Sequence, residues 1–287
     1  MIPMSKVISW IKLMRLEFYS MPFVVYSLGA LISYKSNDLF FIKNFFVGYI
    51  VIFLIELATV LTNEYYDLEG DRLNKNPGRF TGGSRMLVEN RVSLKEVNLA
   101  FIFVILSFLL FSFYLLKLTY FSNNVLILLI LGMIFGIYYT APPLKLSYRG
   151  VGEIDVAFTH GFYIIICGYV FQKRIIDSPI IFILSLPIFF SSLAIVSLGG
   201  IPDLESDRLV SKKTLVSLIG PKNTLFFSWK LNSLYLLLPI YSIYLSYIFL
   251  SKLRLKNYEI SISKMIFRGM VLIALSSFIP LIIYGSS

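Results

Sequence analysis

Uninterrupted apolar runs as long as a bilayer core is thick dominate this chain, and they decide its architecture before any motif is read. FFVGYIVIFLIELATVL at 45–61 and LAFIFVILSFLLFSFYLL at 99–116 are two of them. A spanning helix needs about 20 such residues. The runs are continuous rather than alternating, so they are helices and not barrel strands. With 57% hydrophobic residues and a mean hydropathy of +0.79, the chain lies above the roughly 45–50% apolar content of soluble domains.

Hydropathy and the positions of charge place spans near 17–35, 44–64, 97–116, 124–140, 154–171 and 179–198. Residues 223–251 read as one long helix or as two short ones broken near Asn232 or Pro239, and a last helix runs over 265–284. The expectation is an all-α polytopic membrane bundle of eight or nine transmembrane helices around a central cavity, as a single domain over 1–287 with no soluble domain attached. The first apolar run is long and lacks a small-residue cleavage site, which argues against a secretory signal peptide.

The net charge of +10 follows the membrane topology. Lys6, Lys12 and Arg15 together with the loops at 64–97, 141–153 and 199–223 hold most of the basic residues, while the loops near 36–43, 117–123 and 172–178 hold few. The positive-inside rule puts the N-terminus and the first set of loops in the cytoplasm, in a multi-pass protein of the cell membrane. The basic residues of 252–268 favour nine spans and the short segment length favours eight. Splitting the charge among short loops excludes a nucleic-acid partner. The one cysteine, Cys167, lies inside an apolar run and reads as a small packing residue.

Against this background, NEYYDLEGDR at 63–72 and PDLESDR at 202–208 stand out, because each places acids at the end of an apolar run. Residues four apart share a helix face, so Asn63, Asp67 and Asp71 point one way, as do Asp203 and Asp207. Hard oxygen ligands of this kind suit Mg²⁺, which takes one or two carboxylates and completes its octahedron with water and phosphate oxygens. Two such clusters imply two Mg²⁺ sites bridged by a diphosphate. Arg72, Lys75, Arg79 and Arg85 follow the first cluster, Lys145 and Arg149 lie in the 141–153 loop, and Arg208, Lys212 and Lys213 follow the second. Such cations offset the charge that remains on a bound diphosphate and help it leave. Each motif follows an apolar run and leads into a basic loop, an internal symmetry suggesting halves of about 1–150 and 151–287 with the two loops facing each other over the cavity mouth.

NEYYDLEGD at 63–71 resembles the NxxxDxxxD signature of the intramembrane prenyltransferases of the UbiA superfamily, and PDLESD at 202–207 resembles their second DxxxD. YYTAPPLKLSYRG at 138–150 and SKKTLVSLIG at 211–220 are similar to further segments of that family. Glu64 stands where the family usually has Asp. GGSR within 78–93 is similar to branches that prenylate 1,4-dihydroxy-2-naphthoate. The resemblance implies Mg²⁺-dependent transfer of a prenyl group from a polyprenyl diphosphate to a small aromatic acceptor, in quinone or related lipid synthesis.

Such a reaction ionises an allylic diphosphate, and aromatic faces stabilise the resulting cation without trapping it. Tyr138 and Tyr139 are the candidates, with an interfacial belt as their other reading. Glu56, seven residues before Asn63, faces the cavity about two turns deeper and suits an acceptor hydroxyl, with a helix-bridging hydrogen bond as a protonated acid as its other reading. Arg15, in LMRLEFYSMPF, resembles an arginine near the acceptor end in that family, which implies a partner for an acceptor carboxylate, with a cytoplasmic anchor as its other reading. His160 reads as a satisfied interhelical hydrogen bond. Diphosphate binding falls to Arg72, Arg79, Lys145, Arg208 and Lys212, and metal ligation to Asn63, Asp67, Asp71, Asp203 and Asp207. A geranylgeranylglyceryl phosphate-type prenyltransferase of ether-lipid synthesis remains the alternative, and a helical transporter a more distant one.

Overall fold

The computed structural model describes residues 5–75, 77, 81–228, 230 and 231. Among these the chain is helical, with one isolated bridge between Arg149 and Lys213 and no β-strand. The spans expected at 223–251 and 265–284 fall mostly or wholly outside the described residues.

The earlier spans all form. Helices α2 (Ser20–Asn37), α3 (Ile42–Tyr66), α5 (Leu94–Leu118), α6 (Asn123–Tyr138) and α9 (Ile180–Gly199) sit where the apolar runs place them, and the run at 154–171 folds as α7 (Gly152–Phe158), a π-helical turn (Thr159–Tyr163) and α8 (Ile164–Lys173). The sequence does not separate α1 (Lys6–Met14) from the first span. Arg15 takes a left-handed conformation (φ 51°) between them, and the pair bends by 46°. Ser93 opens α5 with a capping box to Glu96, which satisfies the first free amide groups of that helix.

Among the described residues four helices are long and apolar enough to cross a membrane (α3, α5, the composite Gly152–Lys173 and α9), or five if the bent pair counts as one span. Helix α6, with 16 residues, is roughly 24 Å long at 1.5 Å per residue and falls just short. The outer faces fit lipid rather than water: on α5, Leu99, Phe103 and Leu110 are 68%, 71% and 66% exposed. A contiguous apolar face of this size marks a surface that something apolar covers.

Small residues let the helices close up. A side chain on Gly29 would meet the Ile165 carbonyl oxygen at 2.0 Å, and one on Gly168 the Tyr26 carbonyl oxygen at 2.0 Å, so α2 and α8 touch backbone to backbone. Tyr26, Ile165, Tyr169 and Phe171 are buried around this contact. The start of α3 is bound to the end of α8 by polar side chains: the Asn44 amide donates to the Phe171 carbonyl at 2.8 Å, and the Phe41 amide donates to Gln172 Oε1 at 2.8 Å. Buried backbone groups left open by the helix ends are satisfied in this way.

Candidate active site

Both acidic motifs lie at breaks in the chain, not on continuous helices. Helix α3 ends at Tyr66, Asp67 has φ −91° and ψ 1°, and a six-residue helix α4 (Leu68–Leu73) follows. In the second motif α9 ends at Gly199, Asp203 has φ −89° and ψ −3°, and the six-residue α10 (Leu204–Leu209) follows. The segments are almost the same peptide, DLEGDRL and DLESDRL. The expected single helical face for Asn63, Asp67 and Asp71 is therefore corrected to a face carried across a break. The four-residue step survives it, because the amides of Asp67 and Asp71 donate to the carbonyls of Asn63 and Asp67, each at 2.9 Å. Asp207 donates to the Asp203 carbonyl in the same way, at 2.9 Å.

The two motifs meet. Asn74 Nδ2 donates to Asp203 Oδ1 at 2.7 Å, and the Gly82 amide to Asp203 Oδ2 at 3.3 Å. From the other side, Lys212 Nζ donates to Asp67 Oδ2 at 2.7 Å, and the Tyr148 hydroxyl to Asp67 Oδ1 at 2.7 Å. Each motif's first aspartate is thus held by a residue that follows or faces the other motif. Arg85 donates to the Asp71 carbonyl, Thr140 Oγ1 donates to Asn63 Oδ1 at 3.2 Å, and Ser84 grips Glu64 through its amide (2.7 Å) and hydroxyl (2.6 Å). The loop 82–85 therefore lies against both motifs. Its glycines have φ of +73° and +67°, and a side chain on Gly83 would meet Asp71 Oδ2 at 2.0 Å. Only glycine combines that backbone with that approach.

Two further loops close around Lys212. The Gly150 amide donates to the Lys213 carbonyl at 2.7 Å, and the Leu215 amide to Glu153 Oε1 at 2.7 Å, which docks the start of α11 (Leu215–Ile219) on α7. Two ammonium groups lie over the Tyr148 ring, Lys145 at 5.1 Å and Lys212 at 5.3 Å from its centre.

Beneath these contacts lies a chamber of about 520 Å³. Asp203, Asp207, Lys212 and Tyr139 line it near the motifs, Arg15, Glu56, Asp155 and His160 line it elsewhere, and Ile52, Ile55, Phe135 and Val196 supply apolar wall. Burial pushes the Asp71 carboxyl up to about 7, helped by the charges of Glu64 and Asp67, and it pushes Asp207 up to about 6 against the pull of Lys212. Asp203 is also raised by burial, against donors from Gly82 and Asn74. Burial pulls Lys212 down, but Asp67, Tyr139 and Asp207 outweigh it and raise its pKa overall. Anionic oxygens crowded with one cation are the electrostatic form of a site for divalent cations or their anions.

Several sequence expectations are corrected in detail. Among the described residues no three His, Cys, Asp or Glu side chains form a group that could hold a metal ion by themselves; the expected sites need only one or two carboxylates each, completed by phosphate and water. Asp67 and Asp203 each accept from hydrogen-bond donors. Arg72 and Arg208 are exposed and do not line the chamber, nor do Tyr138 and Lys145. Arg79 lies outside the described residues. Arg15 does line the chamber, with its guanidinium 4.6 Å above the Phe18 ring centre. His160 Nδ1 bonds the Val156 carbonyl at 2.9 Å, inside its own helix rather than between helices. Tyr148, Asn74 and Ser84 were not singled out by sequence. Their partners lie 81, 129 and 20 positions away, and no spacing rule announces such pairs.

Residues 21–255 match the model of the UbiA prenyltransferase family. The structure is similar to that of a UbiA homolog from Archaeoglobus fulgidus bound to GPP and Mg²⁺, with TM-score 0.69 and 19% identity over 94% of this chain and 86% of that one. It is also similar to a digeranylgeranylglyceryl phosphate synthase, with TM-score 0.59 and 21% identity over 96% and 98% of the two chains. At these identities the likeness establishes a common fold. The UbiA prenyltransferase domain-containing protein 1 of Dictyostelium discoideum is 29% identical over 101 residues, 35% of this chain and 30% of that protein, so the match spans less than a third of that relative's length.

Proposed function

Because the chain belongs to the UbiA prenyltransferase family, we propose that it transfers the prenyl group of a polyprenyl diphosphate to a hydroxylated aromatic acid of the 1,4-dihydroxy-2-naphthoate or hydroxybenzoate kind, with Mg²⁺ between its acidic motifs. The observation that carries this reading is the pair of cross-links Lys212–Asp67 and Asn74–Asp203, which draw two acid-bearing chain breaks together over one chamber. A similar protein holding GPP and Mg²⁺ supports the choice of ligands.

The donor set fits Mg²⁺ by its chemistry. Asn63, Asp67 and Asp71 on one side and Asp203 and Asp207 on the other offer only hard oxygens, and Mg²⁺ needs one or two carboxylates from protein when phosphate and water supply the rest. Bound there, Mg²⁺ neutralises the diphosphate and makes it a better leaving group. Lys212 is placed to pass from Asp67 to a phosphate oxygen, with Tyr148 guiding it from below its ammonium. Tyr139 presents an aromatic wall to the allylic carbon as positive charge develops. Ile52, Ile55, Phe135 and Val196 keep water from the cation. Arg15 pairs with the acceptor carboxylate, and Glu56 takes a hydrogen bond from an acceptor hydroxyl. The motif loops face the cytoplasm of a cell membrane, a reading supported by the basic residues around them.

A glycerol-phosphate acceptor is the second reading, favoured by the likeness to digeranylgeranylglyceryl phosphate synthase. Among the described residues the chamber lining carries two Lys or Arg side chains, Arg15 and Lys212, and Lys212 is engaged with Asp67. A lining that offers Arg15 beside an already engaged Lys212 suits a carboxylate better than a phosphate dianion. Incubating the purified protein and Mg²⁺ with geranylgeranyl and longer diphosphates, against dihydroxynaphthoate, hydroxybenzoate and geranylgeranylglyceryl phosphate, separates these readings. A prenylated aromatic acid identified by mass is the expected product. Transfer to the glyceryl phosphate alone would establish the second reading, and tracer uptake into vesicles without diphosphate release would establish a transporter.

A further inference from the structure

Two carboxyl groups on the chamber wall each carry an oxygen with no hydrogen-bond partner among the described residues. Asp155 of α7 is 9% exposed and lines the chamber, and its Oδ1 has no partner. Glu56 of α3 lines the same chamber, and its Oε1 is without a partner as well. Buried polar atoms are almost always satisfied in native proteins, and those that are not call for an explanation. The polar neighbours of Asp155 do not turn toward it. Thr159 Oγ1 donates to the backbone carbonyls of Asp155 and Val156 at 2.9 and 3.0 Å, and His160 Nδ1 bonds the Val156 carbonyl at 2.9 Å. Both side chains are spent on the helix backbone just before and within the π-helical turn. Asp155 also takes part in none of the ion pairs among the described residues.

Two orphan acceptors on different helices, facing one apolar chamber, ask for a ligand that brings two donors. We propose that Asp155 and Glu56 each accept a hydrogen bond from a separate ring hydroxyl of the prenyl acceptor, so that the chamber selects a dihydroxy-aromatic acid over a monohydroxy one. The proposal rests on reading the chamber as the site of prenyl transfer. Chemistry distinguishes this ligand from its rivals. A phosphate dianion brings neither Asp155 nor Glu56 a donor, and an acceptor with one hydroxyl leaves one of the two carboxyl oxygens buried and unsatisfied. Discrimination built from buried hydrogen bonds is strong because the wrong ligand forfeits the desolvation of the protein group as well as the bond. The ring itself finds Ile55, Phe135 and Tyr163 on the same wall.

The test is equilibrium binding to the full-length protein in detergent, which needs no turnover. The probes are 1,4-dihydroxy-2-naphthoate, 1-hydroxy-2-naphthoate and the 1,4-dimethyl ether of the first. Wild type is expected to bind the dihydroxy acid roughly tenfold or more tightly than either analogue, as loss of a hydrogen bond to a buried carboxyl implies. In whichever of Asp155→Leu and Glu56→Leu removes the partner of the 4-hydroxyl, that preference over the monohydroxy acid should shrink to within about twofold, while stabilisation by Mg²⁺ with an unreactive geranyl thiodiphosphate stays as in wild type. Asp155→Asn or Glu56→Gln, of the same shape, serves if the leucine variant does not fold, and at the partner of the 4-hydroxyl should weaken the preference about threefold or more. Full preference kept in both Asp155→Leu and Glu56→Leu overturns the proposal, because one of the two carboxyls must read the 4-hydroxyl that the monohydroxy acid lacks. So does an Asp155 variant that loses donor and acceptor binding equally, which would make Asp155 a structural residue. Wild type that binds none of the three aromatic acids overturns it too. Discriminating binding without any prenyl transfer would instead count against the proposed function and leave the two-hydroxyl reading standing.

Discussion

Asp67 is the residue on which the site turns, and its two partners show how the charge there is managed. Tyr148 donates to one oxygen and Lys212 to the other, both at 2.7 Å, and Lys212 in turn overlies the Tyr148 ring. Burial and the charge of Asp67 raise the Tyr148 hydroxyl above its ordinary range, so it remains a donor at any physiological pH. Tyr148→Phe removes that single donor and keeps the ring. The variant should fold normally and lose roughly tenfold in kcat/KM for the prenyl diphosphate, the worth of one hydrogen bond to a charged group. Steady-state kinetics check this, and an unchanged KM and kcat would relegate Tyr148 to packing. The four-residue spacing of Asn63, Asp67 and Asp71 and of Asp203 and Asp207 was legible, and it survives the helix breaks. Tyr148, Asn74 and Asp155 were not. The first two are defined by contacts across 81 and 129 positions, and Asp155 by a partner it lacks.

At the scale of elements, the short helices α4 and α10 repeat one device: a long apolar span ends, an aspartate with ψ near zero turns the chain, and six residues of helix carry the second aspartate. A reading from helical period alone does not see this turn. It assumes one axis where there are two. The loop 82–85 between the motifs is the other element that sequence only half revealed. GGSR was visible as a signature, but its purpose, backbone pressed on Asp71 and an amide on Asp203, came from the fold. Gly83→Ala forces a side chain into a left-handed backbone, at a cost of about 1–2 kcal/mol, and into the Asp71 carboxylate. The variant is expected to keep its helical content, to lose activity on the order of a hundredfold, and to need more Mg²⁺ for half-maximal rate. A Mg²⁺ titration of activity decides the point: wild-type behaviour in Gly83→Ala would show the loop to be mere connection.

For the whole molecule, the apolar runs predict the span positions because the bilayer imposes length and continuity on them, and among the described residues those positions agree with the helices to within a few residues. What the runs did not reveal is how the spans pack: the backbone contact of α2 with α8 depends on Gly29 and Gly168, which look ordinary in sequence. Orientation is a prediction of the charge distribution. In a Cys167→Ser background, which removes the one cysteine, Glu89→Cys should react with an impermeant thiol reagent from the cytoplasmic side, and Tyr120→Cys, at a position 79% exposed, from the opposite side. The reverse pattern in intact cells would invert the topology.

The account depends on both acidic motifs serving one magnesium diphosphate, and a single comparison tests it: Mg²⁺-dependent prenyl transfer by wild type, Asp67→Ala and Asp203→Ala, with insertion and helical content measured on the same preparations. Wild type should transfer, and each variant should lose activity by roughly a thousandfold or more while remaining folded in the membrane. Full turnover in either folded variant would contradict the shared site and leave only the helical bundle.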